Sequence, residues 1–257
     1  MARAEFDAMA KWYDFDYDRR MRKDLPFWRK CAEDGGNPVL ELGAGTARVT
    51  AHLAKHGFDV TGVEISRAML ERGEARLARA GRAPGRARLV RGDMANLDVK
   101  GRFGTVLVPF RAFHHLYDTS RQLAALAGIR RRLRPDGIVV FDLVNPDLAE
   151  LLAADGRLRI VYERKHPQRG TRVVQRFRMR SDLPRQIAYI DYVWDEYRGQ
   201  RKVGSDTAPM RWRWFHRFEF EHLLARAGLR SVRVCGDFDE RPYAADSEEM
   251  IFFAVRD

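Results

Sequence analysis

The chain has 257 residues, 45% of them hydrophobic, which is enough to bury one sizeable core and suits a single domain carrying an insertion. Its two cysteines, Cys31 and Cys235, lie far apart without metal-ligand spacing, which argues against disulfide-rich and zinc-dependent classes, and no metal site is predicted. No apolar run approaches the ~18 residues of a membrane helix, and the charged N-terminus is unlike a secretory signal. We therefore expect a cytoplasmic protein without a membrane partner.

The formal net charge of +11 invites a nucleic-acid interpretation, because a basic face gains from releasing phosphate counterions. Only seven of the 47 basic residues are lysines, however, and such an arginine-rich chain is also typical of a GC-rich bacterial genome. The charge is uneven, since residues 151–217 hold 16 basic and seven acidic side chains. That segment therefore requires a separate explanation.

Five short apolar runs alternate with helical patterns along the first 150 residues. The runs are rich in Val and Leu and occupy residues 39–42, 59–64, 87–93, 104–110 and 137–143. Between them, helices are predicted over 46–57, over 66–81 with Ser66 as the N-cap, and from 120 to a stop at 135–137. Repeated strand-helix-strand units imply right-handed crossovers, so we predict an α/β fold with a mostly parallel sheet covered on both faces.

Ligands bind such sheets outside the carboxyl ends of the strands, where the connections reverse. The strand ends are residues 41–46, 64, 93–94, 110–115 and 142–145. At the first of them, Glu41 stands two positions before a Gly-Ala-Gly turn, and at the second Glu64 closes an otherwise apolar strand. These carboxylates indicate a ligand that carries positive charge or hydrogen-bond donors.

The glycine turn distinguishes two kinds of cofactor. A dinucleotide site needs a third glycine where this chain has Arg48, and Glu41 would repel the pyrophosphate. S-adenosylmethionine has no phosphate and a cationic amino-acid end, so the two glycines let the backbone approach it and Glu41 can face its ammonium group. Glu64 can then accept hydrogen bonds from both ribose hydroxyls. The succession of glycine turn, Glu64 and Asp93 at three strand ends favours this cofactor.

These segments together resemble a known family. The stretches "VLELGAGTAR", "GVEIS", "RGDM" and "LRPDGIVVFDL", in that order and spacing, are similar to the class I S-adenosylmethionine-dependent methyltransferases, in particular the small-molecule branch of the methyltransferase domain 25 type. The resemblance covers most of residues 5–150 and resumes at 218–239. It implies a final antiparallel hairpin over 228–238 and 249–257, with S-adenosylmethionine as methyl donor and S-adenosylhomocysteine as product.

The resemblance also implies roles for individual positions, with the glycine turn holding the methionine part, the second strand end the ribose and the third the adenine. The expected cofactor-binding residues are Glu41, Gly43, Ala44, Gly45, Glu64, Ile65, Asp93, Met94 and Phe110. Met69 and Leu70 fit the adenine wall of the family, but apolar residues at helical spacing are more often core. We therefore leave them unassigned.

The loop "VPFRAFHHLYD" after the fourth strand is where the transferred methyl group should emerge. The resemblance matches His115 to a histidine beside the acceptor, where an ordinary pKa of about 6.5 suits a base; the alternative is that it only orders its loop. The N-terminal "FDAMAKWYDFDYDRRM" resembles the family's lid helix, with Tyr13 facing the methyl group and Tyr17 on the same side. We predict His115 and Tyr13 as catalytic residues, and as substrate-binding residues Tyr17, Arg111, His114 and Asn145.

The basic segment predicts two strands around a "DLPR" turn, with alternate side chains on opposite faces. Arg176, Arg178 and Arg180 share one face, and Phe177 and Met179 share the other. We infer an antiparallel β insertion after the fifth strand. Its arginines fit a small anionic or aromatic acceptor, a homodimer surface or RNA, and the alternative is a solvated outer face above an aromatic inner one.

The predicted architecture is a Rossmann-like, seven-stranded, mostly parallel sheet with four segments: a helical lid (1–36), a cofactor-binding core (37–150), the antiparallel insertion (151–215) and a return to the core (216–257). The leading hypothesis is an enzyme that methylates a nitrogen or oxygen of a small-molecule metabolite by in-line displacement. The alternative is an RNA-directed methyltransferase with the insertion as platform. Nucleic acid is disfavoured because "VPFRAF" replaces the usual N-P-P-aromatic motif and no RNA-binding module is evident. A non-catalytic cofactor sensor is a distant third hypothesis.

Overall fold

A computed structural model describes residues 2–17 and 21–257 of the chain. The strands, in chain order, are β1 (Val39–Leu42), β2 (Val60–Glu64), β3 (Ala87–Arg91), β4 (Phe103–Val108), β5 (Leu133–Val144), β6 (Arg159–Lys165), β7 (Arg172–Asp182), β8 (Ile187–Arg198), β9 (Arg201–Arg213), β10 (Leu229–Cys235) and β11 (Glu249–Arg256). The helices are α1 (Ala2–Tyr17), α2 (Leu25–Gly35), α3 (Arg48–Lys55), α4 (Arg67–Ala80), α5 (Thr119–Arg132), α6 (Leu148–Leu152) and α7 (Arg217–Arg226). None of the helices within these ranges is long and apolar enough to cross a membrane.

Seven strands form one sheet in the order β10-β11-β5-β4-β1-β2-β3. Strands β1 to β5 are parallel to one another, and β11 pairs antiparallel with both β5 and β10. The predicted fold class and final hairpin are therefore confirmed. The reversal of strand order between β4 and β1 places a crevice at the carboxyl ends of the strands, where ligands bind in this architecture.

Both faces of this sheet are covered by helices, because alternate side chains of the buried strands enter different cores. Leu40 and Leu42 of β1 belong to a cluster with residues of α5 and α7, whereas Val39 belongs to a cluster with residues of α2 and α3. Ser66 caps α4 as predicted, accepting a hydrogen bond from the Met69 backbone N–H at 3.1 Å. Burial on both faces explains why these strands are continuous apolar runs.

Strands β6 to β9 form a separate antiparallel sheet, which we call the flap. The turn predicted at "DLPR", residues 182–185, overlaps the observed connection of β7 and β8 at residues 183–186, but β6 and α6 were not predicted from the sequence. A second difference is that α5 ends at Arg132 and β5 begins at once, several residues before the expected stop, because β5 pairs with Phe103 of β4 from its first residue.

Helix α1 lies between the flap and the main sheet. Its Trp12 ring stacks on Trp194 of β8 at 5.9 Å between centroids, and its Asp16 accepts a hydrogen bond from the Trp194 indole N–H at 2.9 Å. On the other side, Asp7 accepts from the Ser66 hydroxyl at 2.5 Å. The helix therefore connects the flap to the main sheet. The predicted lid helix also included residues 18–20, which lie outside the described residues.

Candidate functional site

A cavity of about 1230 Å³ lies between the carboxyl ends of the main sheet, helix α1 and the inner face of the flap. Sites for one drug-sized ligand span about 300–1,000 Å³, so the cavity has room for a cofactor and an acceptor together. We call the residues that line it the cavity wall. Thirteen of the 15 predicted site residues lie in the wall: Tyr13, Tyr17, Gly43, Gly45, Glu64, Ile65, Asp93, Met94, Phe110, Arg111, His114, His115 and Asn145.

The glycine turn after β1 requires glycine for two separate reasons. Gly43 has φ of +74°, and a Cβ atom built there would lie 2.6 Å from the Cβ of Ala112. Gly45 has φ of +54°, and a Cβ atom there would lie 3.8 Å from the hydroxyl oxygen of Tyr13. Both values are in the left-handed region that disfavours other residues. The turn thus keeps its backbone open to the cavity, with the lid tyrosine close beside it.

Arg48 takes the position at which a dinucleotide site has its third glycine. Its guanidinium donates two hydrogen bonds to the carboxylate of Asp24, at 2.5 and 2.7 Å. The same carboxylate accepts from the indole N–H of Trp28 at 2.9 Å. The side chain therefore ties the start of α3 to the start of α2, where a glycine would provide no such contact.

Glu64 joins the end of β2 to the glycine turn. Its carboxylate accepts hydrogen bonds from the backbone N–H groups of Gly45 and Ser66, both at 2.8 Å. Burial raises the pKa of Glu64, and the backbone N–H groups oppose that rise. Because each carboxylate oxygen has two lone pairs, Glu64 retains acceptor capacity for two hydroxyl groups of a ligand.

Glu41 and Ala44 are the two predicted cofactor residues that lie outside the cavity wall. The buried carboxylate of Glu41 accepts a hydrogen bond from the hydroxyl of Thr50. Burial raises the pKa of Glu41 to about 7. The contact of Glu41 with the ammonium group of a cofactor therefore stays a prediction.

Asp93 and Met94 follow β3, as expected for the third strand end. The Asp93 carboxylate accepts from the Ala95 backbone N–H at 2.9 Å and from the guanidinium of Arg121 at 2.7 Å. Met69 of α4, which the sequence left unassigned, also lies in the wall while being fully buried. The three side chains provide one charged edge and two flexible apolar surfaces at this end of the cavity.

Two carboxylates hold the loop after β4. Phe110 and Arg111 have φ of +53° and +60°, and both backbone N–H groups donate to the carboxylate of Asp142 at 3.0 Å. The Arg111 guanidinium in turn donates to Glu249 at 2.6 Å. Burial raises the pKa of Asp142 to about 7, and burial also raises the pKa of Glu249, although Arg111 opposes that rise. Consecutive left-handed residues held in this way are typical of functional sites.

His114 has no ring nitrogen left for a ligand. Its Nδ1 lies 2.7 Å from the backbone oxygen of Arg213, and its Nε2 accepts from the Val144 backbone N–H at 3.1 Å. Burial lowers the pKa of His114 to about 3, so the ring is neutral with its proton on Nδ1. The geometry gives His114 a structural role, which joins the loop after β4 to β5 and to the flap.

His115 differs from its neighbour, because among the described residues the polar group that interacts with its ring is the backbone of Arg211. Its Nδ1 is buried and has no hydrogen-bond partner among the described residues. The edge of the Phe6 ring packs against it at 4.6 Å between centroids. Burial lowers the pKa of His115 to about 4, so this histidine offers a neutral nitrogen lone pair in place of the expected titrating base.

Tyr13, Tyr17 and Phe110 form an aromatic cluster in the wall. Their ring centroids are 5.1 to 5.9 Å apart in edge-on arrangements. Tyr17 also interacts with Tyr192 of the flap, and burial raises the pKa of Tyr13 and of Tyr17. Both tyrosines are therefore neutral hydrogen-bonding groups at physiological pH.

Carboxylates dominate the charged part of the wall. The acidic residues are Asp16, Glu64, Asp93, Asp142, Asp147, Glu150, Asp246, Glu248 and Glu249, and the basic residues are Arg111 and Arg121. Both arginines are paired with acids of the wall, at 2.6 and 2.7 Å. Such a wall attracts positively charged ligands.

The arginines of the flap face away from the cavity. Arg176 pairs with Asp195, and Arg178 pairs with Asp191 at 2.8 Å. On the opposite face of the same strand, Phe177 and Met179 line the cavity. This arrangement favours the interpretation of a solvated, ion-paired outer face above an apolar inner one.

Comparison with known proteins agrees with this geometry. Residues 39–137 match a family model described as a methyltransferase domain. The chain is 29% identical over 222 residues to the cypemycin N-terminal methyltransferase of a Streptomyces species, covering 86% of this chain and 84% of that protein. The fold is similar to that of the CcbJ methyltransferase from Streptomyces caelestis, with a TM-score of 0.84, 26% identity and coverage of 100% and 99%. The chain is a class I S-adenosylmethionine-dependent methyltransferase.

A further relative of this methyltransferase is the dTDP-3-amino-3,4,6-trideoxy-alpha-D-glucopyranose N,N-dimethyltransferase of Streptomyces venezuelae. The two proteins are 28% identical over 192 residues, which are 75% of each chain. The cofactor is S-adenosylmethionine, and the residues fit it: the turn at Gly43 excludes a Cβ atom, and the Glu64 carboxylate can accept from hydroxyl groups.

Among the residues of the methyltransferase cavity that were not predicted are Met69, Asp142, Gln175 and Glu249. Asp142 carries the same signal as Glu64, an acid near the end of an apolar strand. Gln175 is the polar member of an otherwise apolar alternating set in β7. Glu249 begins an antiparallel strand, so its position at the carboxyl edge of the sheet follows only once the topology is known.

Proposed function

We propose that this methyltransferase transfers a methyl group from S-adenosylmethionine to an amine nitrogen of a small-molecule metabolite by in-line displacement. The observation that carries the proposal is the excess of carboxylates in the cavity wall, because an amine and its methylated product are cationic in water whereas an alcohol is neutral. The names of two relatives also point to nitrogen, one at a peptide N-terminus and one on an amino sugar.

The protein supplies enclosure and orientation. Bound S-adenosylmethionine contributes a methyl group on a positively charged sulfur, which is a good leaving group. Helix α1 and the inner face of the flap cover the cavity, so the acceptor is held close to the cofactor and away from bulk water. Tyr13, placed near Gly45 and beside Phe110, lies at the boundary between the cofactor end and the acceptor end.

His115 is suited to align the amine. Because its pKa is about 4, it is a weak proton acceptor, but its neutral Nδ1 can accept a hydrogen bond from an amine N–H. That bond would fix the direction of the nitrogen lone pair. An amine that binds as its cation must lose one proton before its lone pair can attack the methyl group, and a carboxylate such as Asp142, whose pKa is about 7, can accept that proton. The methylated amine is then the cation, and the thioether of S-adenosylhomocysteine is the leaving group.

The proposal is tested by incubating the purified protein with S-adenosylmethionine and a panel of small amines, each paired with the alcohol of the same skeleton. Release of S-adenosylhomocysteine is measured, with Glu64→Ala as the inactive control. We expect turnover with amines and not with the paired alcohols. Turnover with alcohols alone, or with RNA alone, would contradict the proposal.

A further inference from the structure

Besides His115, two polar side chains of the cavity wall contain a buried atom without a hydrogen-bond partner among the described residues. They are Gln175 on β7 of the flap and Glu249 at the start of β11 in the main sheet. The unpaired atoms, Oε1 of Gln175 and Oε2 of Glu249, are both hydrogen-bond acceptors. An unpaired buried polar group is costly, so each requires a reason for its presence.

Gln175 is a polar residue on an otherwise apolar face of its strand. The side chains at alternate positions 173, 177 and 179 of β7 are Val, Phe and Met, and Gln175 lies on the same face between them. It is only 3% exposed and lines the cavity. A Met or Leu at this position would continue the apolar face without leaving an amide unpaired.

Glu249 is 8% exposed and only half satisfied. Its Oε1 accepts a hydrogen bond from Arg111 at 2.6 Å, but Arg111 must also balance the neighbouring carboxylate of Asp142. One guanidinium therefore faces two carboxylates. This cluster of three side chains could accept one more hydrogen bond and could balance one more positive charge.

We propose that Gln175 and Glu249 are specificity-determining residues that bind hydrogen-bond donors of the acceptor, one from the flap and one from the main sheet. The acceptor then carries hydroxyl groups besides its amine, because an amine that donates to Nδ1 of His115 leaves the acceptor atoms of Gln175 and Glu249 unpaired. This inference rests on the proposed amine specificity. A ligand that satisfies both groups gains strongly over one that lacks the donors, since buried polar groups reject analogues that leave them unpaired.

The test compares two probes, 3-amino-3-deoxy-D-glucose and cyclohexylamine, which share a six-membered ring and a primary amine but differ in their hydroxyl groups. Methylation of each is followed with methyl-labelled S-adenosylmethionine in the wild type, in Gln175→Met and in Glu249→Gln. We expect the wild type to favour the amino sugar at least about tenfold in kcat/KM. Each variant should raise KM for the amino sugar about tenfold, leaving the dissociation constant of S-adenosylmethionine and KM for cyclohexylamine within about twofold.

Matched controls separate recognition from a general effect of altering buried polar groups. Gln122→Met replaces another buried glutamine with an unpaired Oε1, and Glu196→Gln replaces a carboxylate of the flap that pairs with Arg169; neither residue lines the cavity. Both controls should leave KM for the amino sugar unchanged. If Gln175→Met does not fold, Gln175→Asn keeps the amide but shortens its reach, and the same rise in KM is expected.

The outcomes distinguish this inference from the proposed function. Methylation of neither probe would overturn both. Methylation of both probes with equal kcat/KM, or an unchanged KM in Gln175→Met and Glu249→Gln, would overturn the recognition role while leaving amine methylation intact.

Discussion

The carboxylate of Glu64 accepts a hydrogen bond from the backbone N–H of Gly45 at 2.8 Å, so one side chain joins the second strand end to the glycine turn. Replacing it by alanine removes the acceptor that we predict for the ribose hydroxyls. Because hydrogen bonds to a charged group are worth about 1.5–3 kcal/mol each, Glu64→Ala should weaken S-adenosylmethionine binding at least about 100-fold. Titration calorimetry measures the affinity, and circular dichroism shows whether the variant is folded. Unchanged affinity in a folded variant would refute the ribose assignment.

The importance of the close approach at Gly43 can be tested with a matched control, because Gly36 has a similar φ but no neighbouring atoms around an added Cβ. Gly43→Ala places a methyl group 2.6 Å from Ala112, whereas Gly36, with φ of +78°, has no atom within 4 Å of an added Cβ. Both substitutions place alanine at a positive φ, which disfavours residues other than glycine. We expect only Gly43→Ala to impair cofactor affinity, and similar affinities in both variants would show that the close approach is unimportant.

His115 should act on the acceptor rather than on the cofactor. We expect His115→Ala to lower kcat about 100-fold with methyl acceptor in excess, while the dissociation constant of S-adenosylmethionine changes little. Since burial lowers the pKa of His115 to about 4, the wild-type kcat should show no inflection from this group near pH 6.5. An inflection near pH 6.5 that disappears in His115→Ala would mean that the histidine titrates as an ordinary base. An unchanged kcat in His115→Ala would mean that the histidine has only a structural role.

The raised pKa of Glu41 predicts that the free energy of unfolding of the protein depends on pH. Its folded-state pKa of about 7 lies above the ordinary value of 4.5, so its favourable contribution is present at low pH and is lost as the pH rises through 7. The wild type should therefore lose stability relative to Glu41→Gln between pH 5 and pH 8, by an amount on the order of 2 to 3 kcal/mol. Urea unfolding measures the free energy of unfolding of both proteins at each pH. The difference between them isolates the contribution of Glu41, because buried histidines contribute equally to both. A difference that does not change with pH would contradict the account.

The sheet and most of the cofactor end could be predicted because each rests on a local pattern. Buried parallel strands are apolar throughout, and an acid that ends such a strand, such as Glu64, is conspicuous in the sequence. The turn at Gly43 and Gly45 is similarly visible, since positive φ and close approach both demand glycine. Even Asp142 falls under the same rule, although the sequence offered no reason to expect that it would hold the backbone of Phe110.

The acceptor end could not be predicted in the same way, because its residues meet only after the chain has folded. His114 and His115 are neighbours in the short 3-10 helix Ala112–His115, and the surroundings of their ring nitrogens depend on strands that lie far along the chain. Alternation in β7 predicted that Phe177 and Met179 share a face, but not that this face lines the cavity together with Gln175. The basic composition of the flap drew attention to its outer face, whereas the carboxylates of the cavity come from several separate segments.

The most direct test of amine methylation is to incubate the protein with methyl-tritiated S-adenosylmethionine and an extract of its native host, and to count label in the metabolite, protein and RNA fractions. We predict label in the metabolite fraction, in a product whose methyl group is bonded to nitrogen by mass-spectrometric fragmentation, and no label with Glu64→Ala. Label concentrated in RNA, or a metabolite methylated on oxygen, would contradict the central claim.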